Sequence, residues 1–316
     1  QAILDQVILS YRVVVVSVQG ATMKRLSPPE ETMRETIVWL LQAPHGERVR
    51  MEDAENHTFV MSEPAPSFQA PVRAPPRDLI ATIRLGSVEA ALLLQQRGFS
   101  PALLNFAHGY NCGGGFEHAG GSQEEDIFRK TSLVLSLWPH RRADDGAGVL
   151  KRSMWIGDYD ERLPRKQPFY PHTECGGIYS PHVRVIRDCG GRRLAKVEEV
   201  ESLPVIAVLT VAAQNVGFEP PFNPDLLKQK IRSLLWMAAS KGHDAIVLGA
   251  FGCGYFSNPP NDVAETFRGL LAAGGEFANA FRVVLFAVVH GNLQPFSNRF
   301  PLVSDIAGRD VTAEVI

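Results

Sequence analysis

Two glycine-rich segments carry the residue types and spacings that could do chemistry. Residues 105–133 read NFAHGYNCGGGFEHAGGSQEEDIFRKTSL, and residues 248–260 read LGAFGCGYFSNPP. Each segment follows an apolar run and precedes a helical pattern, so each loop is expected to leave a strand and enter a helix. Ligands of α/β sheets bind at that place. Glycines let backbone amides approach a ligand closely, and the helix N-terminus that follows favours an anion. Two such loops suit a ligand with more than one anionic or hydroxyl-rich group, such as a dinucleotide. Neither loop is a Walker motif, because Gly113, Gly114 and Gly115 are not followed by Gly-Lys-Ser/Thr, and neither is a G-x-G-x-x-G turn.

The first loop delivers Gln123, Glu124 and Glu125 to the start of a helix. A purely structural reading exists: Ser122 to Glu125 matches the S-x-x-E capping box, in which Glu125 only bonds the Ser122 backbone amide. That reading accounts for one carboxylate. It accounts neither for the three successive glycines upstream nor for Asn105 at the end of an apolar strand. His108 offers itself as a base, against the ordinary reading of a solvated loop histidine. Cys253 is read either as a reactive thiol near helix amides or as a small packed side chain. Asp158, Asp160 and Glu161 have the spacing of metal ligands but lack the glycine and terminal glutamate of a calcium loop. Arg184, Arg187, Arg192 and Arg193 form a basic cluster, read as a solvated face or a contact for an anionic polymer. Trp155 and Trp236 sit among apolar residues and read as core.

The elements around these loops follow from pattern. With 45% apolar and 21% charged residues among 316, the chain is globular and long enough for a substantial core. The formal net charge of -2 gives no global electrostatic case for nucleic acid or an anionic membrane. No apolar run reaches membrane-spanning length, and the apolar stretch 7–18 is interrupted by Arg12, so it is not read as a signal peptide. The four cysteines (Cys112, Cys175, Cys189, Cys253) have no C-x-x-C or zinc spacing, which fits free thiols in a reducing compartment inside the cell, cytoplasm or nucleus. Ser27-Pro28 opens a helix over 28–42, and the proline-rich stretch 43–78 reads as a linker. Strands are expected over 78–83, 101–107, 203–213, 245–249 and 281–289. Helices are expected over 87–97 with Ser87 as cap, over 123–137 as one piece, over 224–241 and over 262–273. Alternating buried strands and helices predict a three-layer α/β/α fold over 78–295, with an N-terminal extension over 1–77 and a C-terminal tail over 296–316.

The text GGG, seven residues, then QEE resembles the signature of the microbial-type poly(ADP-ribose) glycohydrolases. The similarity extends through LLNFA (103–107), QEEDIFRKTSL (123–133), GGIYSPHVRVIR (176–187), TVAAQN (210–215) and HDAIVLGAFGCGYFSNPP (243–260), in order. It implies a macrodomain-like α/β/α core with a mixed sheet that binds ADP-ribose. It further implies hydrolysis of the ribose–ribose bonds of poly(ADP-ribose) on modified proteins, mainly from chain ends, with no metal or cofactor. By the same resemblance Glu125 is the catalytic acid. Glu124 and Asn105 hold the distal ribose, and Glu124 helps the diphosphate stabilise a positive sugar. Gly113, Gly114, Gly115 and Gln123 line the ribose and diphosphate. Gly252, Cys253, Gly254 and Tyr255 wrap the diphosphate, and Phe256 packs on the ribose or phosphates. Hydrolysis of single ADP-ribose units and a non-catalytic ADP-ribose reader stand as alternatives. The resemblance departs at Cys112, where the pattern has a proline.

Overall fold

Apolar runs such as VIAVLTV and VVLFA cannot leave either face in water, so they require cover on both sides. In a computed structural model of the chain, which describes residues 28–41, 59–60, 65–68, 79–116, 121–141, 170, 175–188, 193–218, 221–289, 291–304 and 306, these runs form the middle of one sheet. Its strands are β1 (Phe59–Val60), β2 (Leu79–Ile83), β3 (Pro101–Phe106), β4 (Ile178–Arg184), β5 (Val205–Val211), β6 (Ala245–Leu248), β7 (Val283–Ala287) and β8 (Leu302–Val303). The order across the sheet is β1-β4-β5-β3-β6-β7-β2-β8. The stretch from β5 to β8 is parallel, whereas β4 runs antiparallel to β5 and β1 antiparallel to β4.

The two-residue period of a strand divides the core into two layers. Ile206 and Val208 of β5 with Val283 and Leu285 of β7 face one layer, while Ala207, Leu209, Val284 and Phe286 face the other. The first layer is covered by α1 (Pro28–Leu41), α2 (Ser87–Gln96), α3 (Gln123–Lys130) and α4 (Leu133–Leu137), through side chains such as Met33, Leu94, Phe128 and Leu137. The second is covered by α5 (Pro224–Ser240) and α6 (Pro260–Leu271), through Leu234, Val263 and Phe267; the short α7 (Leu293–Ser297) adds Phe296. The three-layer expectation holds, with a mixed sheet.

Several local expectations change. Ser87 is the first helical residue rather than the cap; Gly86 holds that position, and the Ser87 hydroxyl accepts from Gln123 Nε2 at 3.0 Å. The helix expected over 123–137 is broken. Thr131 is extended and bridges Val185, while Ser132 N–H donates to the Arg184 carbonyl at 3.0 Å. The Thr131 hydroxyl then accepts from Leu133 N–H at 3.2 Å and starts α4. No proline or glycine marks this break; the edge of β4 imposes it. β4 itself had no strand expectation. The stretch read as linker contributes β1 to one edge of the sheet, and the stretch read as tail contributes β8 to the other.

Asn223 caps α5, accepting from Asp225 and Leu226 N–H at 3.1 Å each. The basic cluster divides: Arg193 is exposed beside Glu199, 3.8 Å away, whereas Arg184 and Arg187 turn inward. Arg187 is buried and holds α1, donating to the Thr32 carbonyl at 2.8 Å and pairing with Glu35 at 3.1 Å. Arg184 is buried and donates to the Val200 carbonyl at 2.7 Å. Trp236 packs half-buried on the second layer. Among the described residues no helix is long and apolar enough to cross a membrane. Segment 7–18, Ser27, Trp155, Asp158, Asp160, Glu161, Cys189 and Arg192 lie outside the described residues.

Candidate active site

Strands β3 and β6 are neighbours, with Leu103 opposite Val247, so the loops that leave their C-terminal ends emerge side by side. β5 flanks β3 on the other side, with Asn105 opposite Thr210. Between the loops lies a cavity of about 450 Å³, within the range that holds one mid-sized ligand. His108, Gly114, Gly115, Ser122, Gln123 and Glu125 line one wall, and Gly252, Gly254, Tyr255 and Phe256 line the other.

Glu125 is the carboxylate at the cavity surface. The first loop and the helix start converge on it: Gly115 N–H donates to Oε1 at 2.8 Å, and the Ser122 hydroxyl donates to Oε2. Ser122 occupies the N-cap position without a side-chain cap to the helix backbone. The capping-box reading therefore fails, because Glu125 meets the Ser122 hydroxyl and the Gly115 amide rather than the Ser122 backbone N–H.

Glu124 is placed differently. It is 1% exposed and does not reach the cavity wall. Its Oε2 accepts from His108 N–H at 2.7 Å, and its Oε1 accepts from Tyr170 OH and from Asn105 Nδ2 at 3.5 Å. Burial pushes the Glu124 pKa up to about 8 and outweighs the three donors that favour the ionised form; the charge of Glu125 adds to the rise. A pKa raised in this way works against the expected role of its charge in stabilising a positive sugar. Asn105 is fully buried beneath it, 3.5 Å from Glu124 Oε1 and 3.4 Å from Thr210 Oγ1, and stands off the cavity wall.

Gln123 is likewise committed to the protein. Its Oε1 accepts from Phe106 N–H at 2.8 Å, and its Nε2 donates to the Leu104 carbonyl at 2.6 Å and to Ser87. One side chain thus ties the start of α3 to the end of β3, which is how two helix-borne glutamates are brought under the first loop.

Gly114 shows why glycine is needed there. Its φ is +61°, and an added Cβ would lie 2.5 Å from Glu125 Oε1 and 3.1 Å from Glu124 Oε2. Gly114→Ala should therefore lower kcat roughly 10- to 100-fold by displacing the carboxylates, without removing any reacting group. Gly109→Ala, whose Cβ meets nothing within 4 Å, is the matched control in the same steady-state assay. Gly113 lies just behind the wall, its N–H reaching Tyr170 OH at 3.4 Å.

In the second loop Gly252 has φ +71°, and a Cβ there would press on Ala213 at 2.5 Å and Asn258 at 2.6 Å. Asn258 is buried and donates to the Gln214 carbonyl at 2.7 Å and the Gly252 carbonyl at 3.1 Å, fastening this loop to the end of β5. Tyr255 is 73% exposed at the rim, and Phe256 is buried, edge-on to His108 with centroids 5.8 Å apart. Cys253 stands off the wall, and burial pushes its thiol up to about 12, which makes it a packed thiol rather than a nucleophile.

Sequence reasoning missed Tyr170, Asn258 and the hydroxyl of Ser122 as a partner for Glu125. Tyr170 is fully buried and its pKa is raised well above the usual value by burial and then by Glu124, so it stays a neutral donor. It arrives from a polar stretch with no motif around it. Asn258 lies within the glycine-rich segment itself, and its asparagine-proline step was the available signal. Among the described residues no three His, Cys, Asp or Glu side chains group to hold a metal.

The chain was compared with known proteins. Residues 31–188 match the family model of the microbial-type PARG catalytic domain. Poly(ADP-ribose) glycohydrolase (PARG) from Thermomonospora curvata superposes with a TM-score of 0.64 at 27% identity, over 86% of this chain and 99% of that one. The same enzyme bound to the inhibitor ADP-HPD gives a TM-score of 0.63, also at 27% identity and over the same shares. PARG from Deinococcus radiodurans in complex with ADP-ribose gives a TM-score of 0.53 at 27% identity, over 87% and 98% of the two chains. A search of curated protein sequences returned no match. With half of its length matched by the family model, and the two glycine-rich loops and their glutamates meeting at one cavity, the chain belongs to the microbial-type poly(ADP-ribose) glycohydrolases.

Proposed function

We propose that this chain hydrolyses the ribose–ribose O-glycosidic bonds of poly(ADP-ribose) and releases ADP-ribose mainly from chain ends, with Glu125 as general acid and base. The observation that carries this reading is the Glu125 carboxylate at the wall of a cavity between two amide-rich loops. The related enzymes whose structures hold ADP-ribose or ADP-HPD support the choice of ligand.

In this mechanism protonated Glu125 donates its proton to the bridging oxygen as the bond to the anomeric carbon breaks. The oxocarbenium-like sugar takes up a water molecule, whose proton passes to the Glu125 carboxylate. Two hydroxyl-terminated products result and the acid is restored. The backbone amides of Gly252 and Gly254 provide donors for the diphosphate, and Phe256 forms an apolar side for the ribose. Glu124, Asn105 and Tyr170 act beneath the cavity and Gln123 at its wall: they position Glu125 and the first loop. The work of the protein is then placement and proton transfer, with no step assigned to a metal.

The test is chromatographic. Purified protein is incubated with poly(ADP-ribose) and, separately, with a mono-ADP-ribosylated protein. Free ADP-ribose from the polymer alone is the expected result. Release from the mono-modified protein alone would replace the substrate. ADP-ribose binding without release from either would make the chain a reader.

A further inference from the structure

The turn that opens the first loop has no covalent stiffener. Residues 108–112 read His-Gly-Tyr-Asn-Cys, with a glycine and no proline. Yet both catalytic-site carboxylates hang from this loop. His108 N–H holds Glu124 Oε2 at 2.7 Å, and Gly115 N–H holds Glu125 Oε1 at 2.8 Å. The two anchor points are linked through Asn111, whose carbonyl accepts from Gly114 N–H at 2.9 Å.

What holds the turn is the His108 ring. Its Nδ1 accepts from Tyr110 N–H at 3.1 Å and from Asn111 N–H at 3.0 Å. The ring is wedged edge-on against Phe256 of the opposite loop. An imidazole nitrogen that accepts two N–H groups must carry its lone pair, so the proton of the neutral ring sits on Nε2.

We propose that His108 is a positioning residue of this hydrolase: its Nδ1 clamps the 108–111 turn and so sets the glycine loop and Glu125 in their working places. The inference rests on the hydrolase reading for its catalytic consequence, but the clamp itself can be observed without turnover. It is the arrangement of an Asx-turn, with an imidazole nitrogen in place of the side-chain oxygen.

The clamp exists only in the neutral ring, because a protonated Nδ1 faces two N–H groups with a third. Among the described residues, the charged or titratable groups around the ring are Glu125 and Glu124 from α3 and Tyr110 from the turn itself; the opposite loop presents Phe256, with Tyr255 beside it. Burial lowers the His108 pKa from the ordinary histidine value, and the charge of Glu125 works against that. The clamp is therefore intact at pH 7 and is lost only as the pH falls below the ordinary histidine range.

The experiment compares wild type, His108→Ala and His108→Asn. It measures kcat and KM on poly(ADP-ribose) from pH 5 to 8, and amide hydrogen exchange at Tyr110 and Asn111. Asparagine can accept the same two N–H groups through Oδ1 and cannot be protonated. We expect His108→Ala to lose roughly 10- to 100-fold in kcat and to exchange both amides faster. His108→Asn should restore most of kcat and slow exchange, and should lack the acid-side loss that wild type shows. Wild-type kcat in His108→Ala would overturn the proposal, as would His108→Asn failing as badly as His108→Ala. Unprotected Tyr110 and Asn111 amides in wild type would overturn it as well. Should His108→Ala not fold, His108→Asn and the wild-type amides decide the matter. A wild type that releases no ADP-ribose would instead sink the hydrolase reading, and the amide measurements would still report on the clamp.

Discussion

Glu125→Gln should lower kcat on poly(ADP-ribose) by about 10²- to 10⁴-fold, the range that a positioned acid–base group contributes. The glutamine side chain keeps the shape, and its oxygen can still accept from Gly115 N–H, which lies 2.8 Å from the carboxylate. The Ser122 hydroxyl can turn to accept where it now donates. The cavity wall is therefore preserved while the transferable proton is lost. The loss should appear in kcat and kcat/KM alike, the pattern of an interaction made only in the transition state. A variant that raised KM and spared kcat would make Glu125 a binding group.

Glu124→Gln should change stability more than it changes chemistry. Burial holds the Glu124 pKa at about 8 in the folded protein, against 4.5 for a free side chain. A group raised in this way supports the fold fully below its unfolded value and withdraws that support as the pH climbs through its folded value. Wild type should thus lose stability relative to Glu124→Gln as the pH rises from 5 to 9, by up to about 4 kcal/mol. Glutamine mimics the neutral acid and carries no such dependence. Urea unfolding of both proteins at pH 5 and pH 9 measures the difference directly. Parallel stability–pH curves would mean that Glu124 ionises as freely as an exposed glutamate. In that case the Tyr170, His108 and Asn105 donors outweigh its burial.

The central sheet was legible because its strands are covered on both faces and read as unbroken apolar runs. These runs alone placed β3, β5, β6 and β7 within one or two residues. β1 and β8 were not legible, because two-residue edge strands carry no pattern of their own and exist only through the neighbour they pair with. The break between α3 and α4 was hidden for a similar reason. Thr131 is extended where it bridges Val185, just past the end of β4, a contact that no local pattern records.

The site divides in the same way. Gly114 and Gly252 were legible because glycine runs after apolar strands leave marks in the text, whereas the role of Glu125 came through the family resemblance, since its spacing from Ser122 also fits a capping box. The division of labour between Glu124 and Glu125 was not, since adjacent residues on a helix point about 100° apart and only the packing decides which one meets the cavity. Tyr170 and Asn105 wall Glu124 in from two distant parts of the chain. No spacing rule records that. The role of His108 was read as a choice between base and solvated loop residue, and its accepting Nδ1 makes it neither.

The measurement that bears most directly on Glu125 pairs turnover with binding. ADP-ribose release from poly(ADP-ribose) is followed for wild type and Glu125→Ala, and ADP-ribose is titrated calorimetrically into each. The account predicts release by wild type alone, with both proteins binding ADP-ribose. Release by Glu125→Ala at a rate close to wild type would contradict it, because the proton would then have to come from another group.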